Sequence, residues 1–357
     1  MFFKIPTQVY LEENCVVKNG SLMKQYGQKA LIVTGHSSAA NGSLADLETA
    51  LKENQIKYLV YDKTLANPPV EQVMEIQSAY RDEKIDFVIG LGGGSAMDLS
   101  KAVAVMLYYP EKGADFLYDP ATENKSLPVV AIPTTCGTGS EVTAVSVLTR
   151  HDIETKAAIT SRIYPALALL DGSYLKHCPQ HIVNNTSIDA FGHLVESYIN
   201  RKATAFSDMV TEEGFRTWSK VKETLLGEHF TAEDCQNLML SANYAGMAIA
   251  HCGTSLPHGA SYIVTYNTGI PHGKAVGYFQ YGYLKCADPA RVNRILELTG
   301  FASLEEMRDF IIRVCKIDKL DEELLEKCFK SLIGSSKLEV CPFDTSEETL
   351  RKVVYSL

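Results

Sequence analysis

Apolar residues in the first half of the chain form short uninterrupted runs that alternate with stretches of helical spacing. The runs predict strands over Ala30–Thr34, Tyr58–Tyr61, Asp86–Leu91 and Pro128–Ile132. The stretches between them predict helices over Leu44–Glu53, Val70–Tyr80 and Ala96–Leu107. Strands that are apolar at every position are buried on both faces, and crossover helices bury them. This half therefore predicts an α/β domain with a parallel sheet and helices on both faces.

The pattern changes beyond Asp171, where helical periodicity continues without a convincing strand. Helices are predicted over Ile182–Arg201, Asp208–Leu226, Cys235–Cys252, Arg291–Leu298, Leu304–Val314 and Glu322–Leu332. We therefore predict two domains, an α/β domain over residues 1–180 and an all-helical domain over residues 181–357. The apolar positions in residues 1–11 indicate either a hairpin or an edge strand.

Composition narrows the class of protein. The chain has 357 residues, more than one ordinary core accommodates, and its net charge is −9 without a conspicuous basic stretch. Nucleic-acid binding is therefore disfavoured, and no apolar run is long enough to predict a membrane span. The N-terminus lacks the features of a signal peptide, and none of the nine cysteines lies in a C-x-x-C pair. A reducing, cytoplasmic location is the expectation.

A glycine-rich loop, Gly92–Gly93–Gly94–Ser95, follows the third predicted strand and opens a helix. Glycines allow close approach of a ligand to the backbone, and the N-terminus of a helix offers unpaired N–H groups to an anion. A diphosphate site is one interpretation, and a turn that packs the helix on the strand is the other. Asp98 in this helix either caps it, or else orders the loop or contacts the cofactor.

A second loop follows the fourth predicted strand and is rich in hydroxyl groups. Its polar side chains are Thr134, Thr135, Thr138 and Ser140. Such a loop could offer several donors to a nucleotide, although a simple hydroxyl-rich turn would look the same.

Four residues of the second half have the pattern of a metal site. Asp189 and His193 are four apart in a helical stretch, so both project from one helix face. His258 and His272 each lie between a proline and a glycine. A single histidine of this kind is more often a core residue, but one carboxylate and three imidazoles together suit Zn(II) or Fe(II).

These motifs together resemble the iron-containing alcohol dehydrogenase family across roughly residues 5–280. The matching segments are Gly92-Gly93-Gly94-Ser95-x-x-Asp98, Pro133 to Glu141, Asp189-x-x-x-His193, His258 and Pro271-His272-Gly273. The resemblance implies a dinucleotide-binding α/β domain and a helical domain. It also implies a divalent metal, usually Fe(II) with Zn(II) as the second choice, held by Asp189, His193, His258 and His272.

The resemblance further implies where the cofactor binds. The nicotinamide diphosphate would lie on Gly93, Gly94 and Ser95, and Asp98 belongs to the same motif. The remaining nucleotide contacts would come from Asn67, Thr134, Thr135, Thr138, Ser140 and Lys156.

Two positions depart from the family pattern. The family often has a histidine four residues after the third ligand, where this chain has Tyr262. We therefore predict that Tyr262, together with His272, is a catalytic residue. A packing role for this tyrosine is the alternative.

Members that prefer NAD often carry an aspartate after the first strand, where this chain has Gly35. Without that charge, Gly35, Ser37 and Ser38 could receive the extra phosphate of NADP, so NADP(H) is expected and NAD is the alternative.

The predicted reaction is reversible hydride transfer between nicotinamide and a small primary alcohol, diol or aldehyde. The metal would act as a Lewis acid that favours the alkoxide form of the alcohol. A zinc-dependent glycerol or polyol dehydrogenase, a sugar-phosphate lyase of the dehydroquinate synthase type, and a non-enzymatic nucleotide-binding regulator are the alternatives. By analogy with the family, the partner expected besides the substrate is a second copy of the chain, in a homodimer or larger homo-oligomer.

Overall fold

The computed structural model describes residues 2–227 and 229–357 and divides them into two compact units. The α/β unit comprises Ile5–Thr135 and Ser140–Cys178. The helical unit comprises residues 2–4, Cys136–Gly139 and Pro179–Leu357. The main division thus falls beside the boundary proposed at residue 180. Sequence reasoning had placed residues 2–4 and Cys136–Gly139 in the first domain, whereas their contacts place them in the helical unit.

The α/β unit is built on a six-stranded sheet in which every pairing is parallel. The spatial order is β1-β8-β5-β4-β2-β3. The strands are β1 (Gln8–Leu11), β2 (Lys29–Thr34), β3 (Lys57–Tyr61), β4 (Phe87–Gly92), β5 (Val129–Pro133) and β8 (Leu167–Leu170). Because all the strands run the same way, the loops that follow them emerge at one edge of the sheet.

Helices cover both faces of this sheet, as predicted. They are α1 (Cys15–Lys18), α2 (Ser37–Ala40), α3 (Ser43–Glu53), α4 (Val70–Tyr80) and α5 (Gly94–Tyr108). Alternate residues of β2 enter different cores: Leu31 packs in the cluster that contains Val103 of α5, and Ile32 in the cluster that contains Leu47 of α3. Burial on both faces explains why β2 lacks polar alternation.

Three strands of the α/β unit were not predicted from the sequence. An antiparallel pair, β6 (Val147–Arg150) and β7 (Thr155–Ala158), forms a small second sheet, and β8 pairs with both β1 and β5. Each of these strands has only four residues, so the local signal for a strand is weak. The N-terminal segment forms the edge strand β1, so the hairpin interpretation was wrong.

The helical unit contains no strand within its described residues. Its helices are α6 (Gln180–Tyr198), α7 (Ala205–Ser219), α8 (Ala232–Cys252), α9 (Leu256–Thr268), α10 (His272–Lys285), α11 (Pro289–Thr299), α12 (Leu304–Cys315), α13 (Glu322–Leu332) and α14 (Glu347–Val354). Sequence reasoning missed α9, α10 and α14. The prolines of the His258 and His272 motifs open α9 and α10, where a missing N–H costs little. Of the helices described in either unit, none has the length and apolar character of a membrane span.

Candidate active site

Three helices of the helical unit bring one carboxylate and two imidazoles together. Asp189 lies in the middle of α6, His258 in the first turn of α9 and His272 at the start of α10. Asp189 Oδ1 is 3.4 Å from His258 Nε2 and 3.6 Å from His272 Nε2. These three atoms lie within 4.8 Å of one another.

The donor atoms of this cluster fit a divalent ion. Asp189 Oδ1 and His258 Nε2 are buried and have no hydrogen-bond partner among the described residues. Unsatisfied buried polar atoms are costly, and a coordinated ion would satisfy them. Two ligands at about 2.0–2.1 Å from one zinc ion in tetrahedral geometry are about 3.4 Å apart, close to the two distances seen here.

Close packing of α10 against α6 makes this convergence possible. A Cβ atom on Gly273 would lie 1.8 Å from the Asn185 carbonyl oxygen and 3.1 Å from Asp189 Cβ. Real Cβ atoms do not approach backbone this closely, so only glycine fits after His272. The glycine of the Pro-His-Gly motif thus lets His272 approach the carboxylate of α6.

The two carboxylates beside His258 change its protonation in the metal-free protein. Burial alone would lower its pKa, but Glu196 and Asp189 outweigh this and raise the pKa of His258 to about 9. Burial would likewise raise the pKa of Asp189, but the imidazoles of His193, His272 and His258 hold it well below its ordinary value. Asp189 is therefore ionised at neutral pH and suited to bind a cation.

A hydrogen bond at Nδ1, the ring nitrogen that does not face Asp189, orients His272. The Ser261 hydroxyl donates to the His258 carbonyl (2.8 Å), so its oxygen is left to accept a bond from His272 Nδ1, 3.3 Å away. Protonation at Nδ1 leaves the Nε2 lone pair available toward Asp189.

His193, the fourth predicted ligand, lies beside the three converging groups rather than within their 4.8 Å cluster. Its ring stacks on His258 with the centroids 4.3 Å apart, and its Nδ1 is buried without a hydrogen-bond partner among the described residues. Burial, the largest influence, lowers the pKa of His193 to about 4. The ring is therefore neutral near pH 7, the state that a metal ligand needs.

Tyr262 lies one turn after His258 on α9 and packs on His272. The two rings are nearly parallel, at 18°, with their centroids 5.6 Å apart. The tyrosine is half-buried. Tyr262 therefore lies next to a predicted ligand, and its catalytic role stays a prediction.

In the α/β unit, several predicted cofactor residues gather around the turn between β4 and α5. Asn67 N–H donates to Ser95 Oγ (3.1 Å), and Lys156 Nζ donates to Asn67 Oδ1 (2.7 Å). A Cβ atom on Gly93 would lie 3.3 Å from Thr135 Oγ1. Gly94 is the first residue of α5, and Thr134 N–H donates to the Gly92 carbonyl. The loops after β3, β4 and β5 thus meet at one edge of the sheet.

Asp98 orders a neighbouring loop instead of capping α5. It lies in the second turn of the helix, where it accepts bonds from Ser140 Oγ (2.6 Å) and Val147 N–H (2.9 Å). Lys101, missed by sequence reasoning, is completely buried and donates to Ser140 Oγ and the Val145 carbonyl. Burial lowers the pKa of Lys101 to about 8. Asp98, Lys101 and Ser140 thus form one internal network.

Two other predicted cofactor residues are placed differently from the expectation. The first is Ser38, whose hydroxyl is buried and donates to the Leu91 carbonyl (3.4 Å), so it is turned away from solvent. Its neighbour Ser37 is exposed, and Gly35 is partly exposed.

The second is Thr138, which belongs to the helical unit. Its neighbour Gly139 has a φ of +59°, and a Cβ atom there would lie 2.3 Å from Gly246 Cα on α8. The glycine therefore serves close packing against a helix.

Sequence reasoning also missed the polar residues that surround the predicted ligands, namely Glu196, Ser261 and Gln280. For Glu196 a signal existed, because it lies seven residues after Asp189 and so shares its helix face. Ser261 and Gln280 lie on other helices, and nothing in their local sequence distinguishes them.

The chain is similar to known proteins along most of its length. Residues 6–172 match the model described as iron-containing alcohol dehydrogenase, and residues 183–322 match the model of the C-terminal part of the same family. The long-chain-alcohol dehydrogenase 1 of Geobacillus thermodenitrificans is 30% identical over 287 residues, which cover 78% of this chain and 72% of that protein. The NADPH-dependent butanol dehydrogenase of Clostridium saccharobutylicum is 27% identical over 340 residues, with coverages of 91% and 81%.

Solved structures extend the similarity to almost the whole chain. An iron-containing alcohol dehydrogenase of Thermotoga maritima has a TM-score of 0.92 and 34% identity, with 99% of this chain and 98% of that chain covered. The parallel sheet and the helical region agree with that fold. The chain therefore belongs to the iron-containing alcohol dehydrogenase family, whose members are NAD(P)-dependent enzymes.

Proposed function

We propose that the protein is a metal-dependent alcohol dehydrogenase that reversibly transfers hydride between NADP(H) and a small primary alcohol, diol or aldehyde. The observation that carries the proposal is the convergence of Asp189 Oδ1, His258 Nε2 and His272 Nε2 within 4.8 Å. The proposed ion is Fe(II), with Zn(II) as the alternative, and His193 is the proposed fourth ligand. Iron and zinc both suit this donor set, so the preference for iron follows the family.

The chain's own residues would bind and orient the reactants. A divalent ion supplies Lewis-acid chemistry to an alcohol or aldehyde oxygen, and nicotinamide supplies the hydride. Asp189 provides a negative charge, and the imidazoles of His258 and His272 direct their Nε2 atoms toward it. The turn around Gly93 and Ser95 offers backbone N–H groups at the start of the fifteen-residue helix α5, where a diphosphate is favoured. Asn67 and Lys156 would contact the same cofactor.

Activity and metal content together test the proposal. The metal-free protein is loaded anaerobically with Fe(II) or Zn(II), and NADPH oxidation is followed with butanal as the substrate. We expect His272→Ala to reduce bound metal and turnover by more than about 100-fold, since even residues behind metal ligands account for 10–100-fold. His181→Ala is the matched control, because His181 is an exposed histidine on α6. Full metal content and turnover in His272→Ala would contradict the proposed site.

The proposed preference for NADP(H) rests on the end of β2. Family members carry names that specify NADH in some cases and NADPH in others, so membership alone does not decide the cofactor. Gly35 offers no acidic side chain to repel an extra phosphate, and Asp46, the next acid along the chain, accepts a bond from the Tyr174 hydroxyl (3.0 Å). Ser37 is the exposed hydroxyl that remains available after Gly35.

Gly35→Asp tests this preference cleanly. A Cβ atom at Gly35 would meet only the Thr64 carbonyl oxygen, at the ordinary contact distance of 3.4 Å, so the backbone accepts a side chain here. The wild type is expected to favour NADPH in kcat/KM. The variant should shift the ratio toward NADH by one to two orders of magnitude, roughly 1.4 kcal/mol per tenfold. Gly35→Asn adds similar bulk without charge and should shift the ratio much less. An unchanged ratio in Gly35→Asp, or a wild type that favours NADH, would refute the preference.

The homo-oligomeric state and the cytoplasmic location stay predictions. Light scattering of the purified protein would test the first of them.

A further inference from the structure

A second carboxylate, Glu196, lies behind His258 and is completely buried. It shares the helix face of Asp189 on α6 and accepts three hydrogen bonds. Its Oε1 lies 2.6 Å from His258 Nδ1 and 3.1 Å from Gln280 Nε2. Its Oε2 accepts a hydrogen bond from the Ser255 N–H at 2.6 Å. These three donors come from α9, from α10 and from the residue that precedes α9.

The contact with Glu196 determines which nitrogen of His258 carries a proton. Both oxygens of Glu196 accept hydrogen bonds from groups that only donate, Oε1 from Gln280 Nε2 and Oε2 from the Ser255 N–H, as the oxygens of a carboxylate do. A carboxylate only accepts hydrogen bonds, and the partner nitrogen must therefore be the donor. In neutral His258 the proton then sits on Nδ1, and the lone pair sits on Nε2, the nitrogen 3.4 Å from Asp189 Oδ1.

We propose that Glu196 is a positioning residue that holds His258 in the tautomer and orientation needed to bind the metal ion. This inference rests on the proposed metal site, which it deepens. Hydrogen bonds from a ligating imidazole to a carboxylate fix the ring and raise its basicity as a ligand. Because Glu196 is also held by Ser255 and Gln280, its carboxylate has little freedom to move away from His258.

A purely structural role for Glu196 is the competing explanation, since its bond to Ser255 N–H fixes the start of α9. The two roles make different predictions. A structural anchor affects the stability of the metal-free protein, whereas a positioning residue affects the dissociation constant of the ion in a protein that remains folded.

The test compares metal affinity in matched variants. The dissociation constant of Co²⁺ is measured by competition with a chelator, and Co²⁺ absorption reports the coordination geometry. Glu196→Gln keeps the shape but replaces one acceptor by an NH₂ group, and we expect about 10–100-fold weaker binding with an altered absorption spectrum. Glu212→Gln is the control, because Glu212 accepts bonds from Tyr198 and Arg294 and contacts none of the proposed ligands. Its affinity should equal that of the wild type.

The outcomes separate this inference from the proposed function. If His258→Ala loses Co²⁺ while Glu196→Gln binds it as the wild type does, the positioning role is overturned and the metal site stands. If both variants bind normally, the proposed site itself fails. Should Glu196→Gln not fold, ¹⁵N NMR of the metal-free wild type, at a pH where the spectrum shows His258 to be neutral, provides the test. A proton on Nδ1 supports the role, and a proton on Nε2 overturns it.

Discussion

At the scale of single residues, the chemistry of the site depends on how buried charges are paired. His258 lies between Asp189 and Glu196, with distances of 3.4 and 2.6 Å to the two carboxylates. Two buried anions next to one imidazole favour its protonated form. A divalent ion bound at Nε2 would replace that proton and neutralise the same two charges. Protons and metal ions are therefore expected to compete for His258.

This competition predicts a pH-dependent metal affinity. His258 has a pKa of about 9 in the metal-free protein, so it must lose one proton to bind an ion at neutral pH. The affinity for Zn²⁺ should rise about tenfold per pH unit from pH 7 and level off above pH 9. The raised pKa also means that His258 stabilises the metal-free fold below pH 6.5, and that this contribution is lost as the pH rises through 9. Titrations in zinc buffers and proton-release measurements would check this, and a flat profile would contradict it.

Tyr262→Phe tests whether the tyrosine stacked on His272 takes part in proton transfer. A phenol has a reference pKa of about 10 and is a poor base near neutral pH. We expect a loss of at most about tenfold in kcat, because water or the cofactor ribose can carry the proton instead. Tyr266→Phe, one turn further along α9, serves as the control. A loss of about a thousandfold would make Tyr262 an essential acid–base residue.

At the scale of secondary-structure elements, the packing of α6, α9 and α10 sets the distances within the site. Each helix supplies one donor to the cluster, so a shift of any helix moves its donor relative to the other two. The tightest constraint is the contact between Gly273 and the Asn185 carbonyl. Helix packing and the arrangement of the proposed metal ligands are therefore coupled through this glycine.

Gly273→Ala is predicted to weaken both the fold and the metal site. The new Cβ would overlap backbone that cannot move independently of α6, and such overpacking costs about 1–3 kcal/mol in the free energy of unfolding. Urea unfolding can be followed by Trp218, the only tryptophan, which is buried on α7 and donates to Ser187 Oγ on α6. Gly113→Ala is the control, because a Cβ atom there meets nothing within 4 Å. Wild-type stability and zinc affinity in Gly273→Ala would show that α10 can move without consequence.

At the scale of the whole molecule, the proposed metal ion and the proposed cofactor are expected to bind residues of different units. The converging metal donors all belong to the helical unit, whereas the turn around Gly93 belongs to the α/β unit. A ligand that binds only the native state stabilises the region that holds it. The metal ion and the cofactor should therefore protect different segments from hydrogen exchange.

Hydrogen exchange followed by mass spectrometry would resolve these patterns. Zn²⁺ is expected to slow exchange in α6, α9 and the start of α10, and a chelator should reverse the effect. NADPH is expected to slow exchange in the turn between β4 and α5 and in the loop at Asn67. If Zn²⁺ produced no protection in the three helices, the proposed metal site would be in doubt.

Local sequence was sufficient for most elements of the fold. Periodicity reports burial within one element, and so it predicted β2 to β5, the helices α3, α4 and α5, and the long helix that carries Asp189 and His193. It failed for the four-residue strands β6, β7 and β8. It also failed for α9 and α10, because the prolines before His258 and His272 resemble loop signals although they begin helices.

The sequence by itself determined the fold class, the family and the residue types of the proposed metal site, since these depend on short motifs and their order. Tertiary structure alone decided that Asp189, His258 and His272 converge, that Glu196 contacts His258, and that Ser38 faces inward. These relations join residues far apart in the chain, for example the 62 positions between Glu196 and His258. Such contacts follow from how helices pack on one another, and packing leaves no periodic signal in the local sequence.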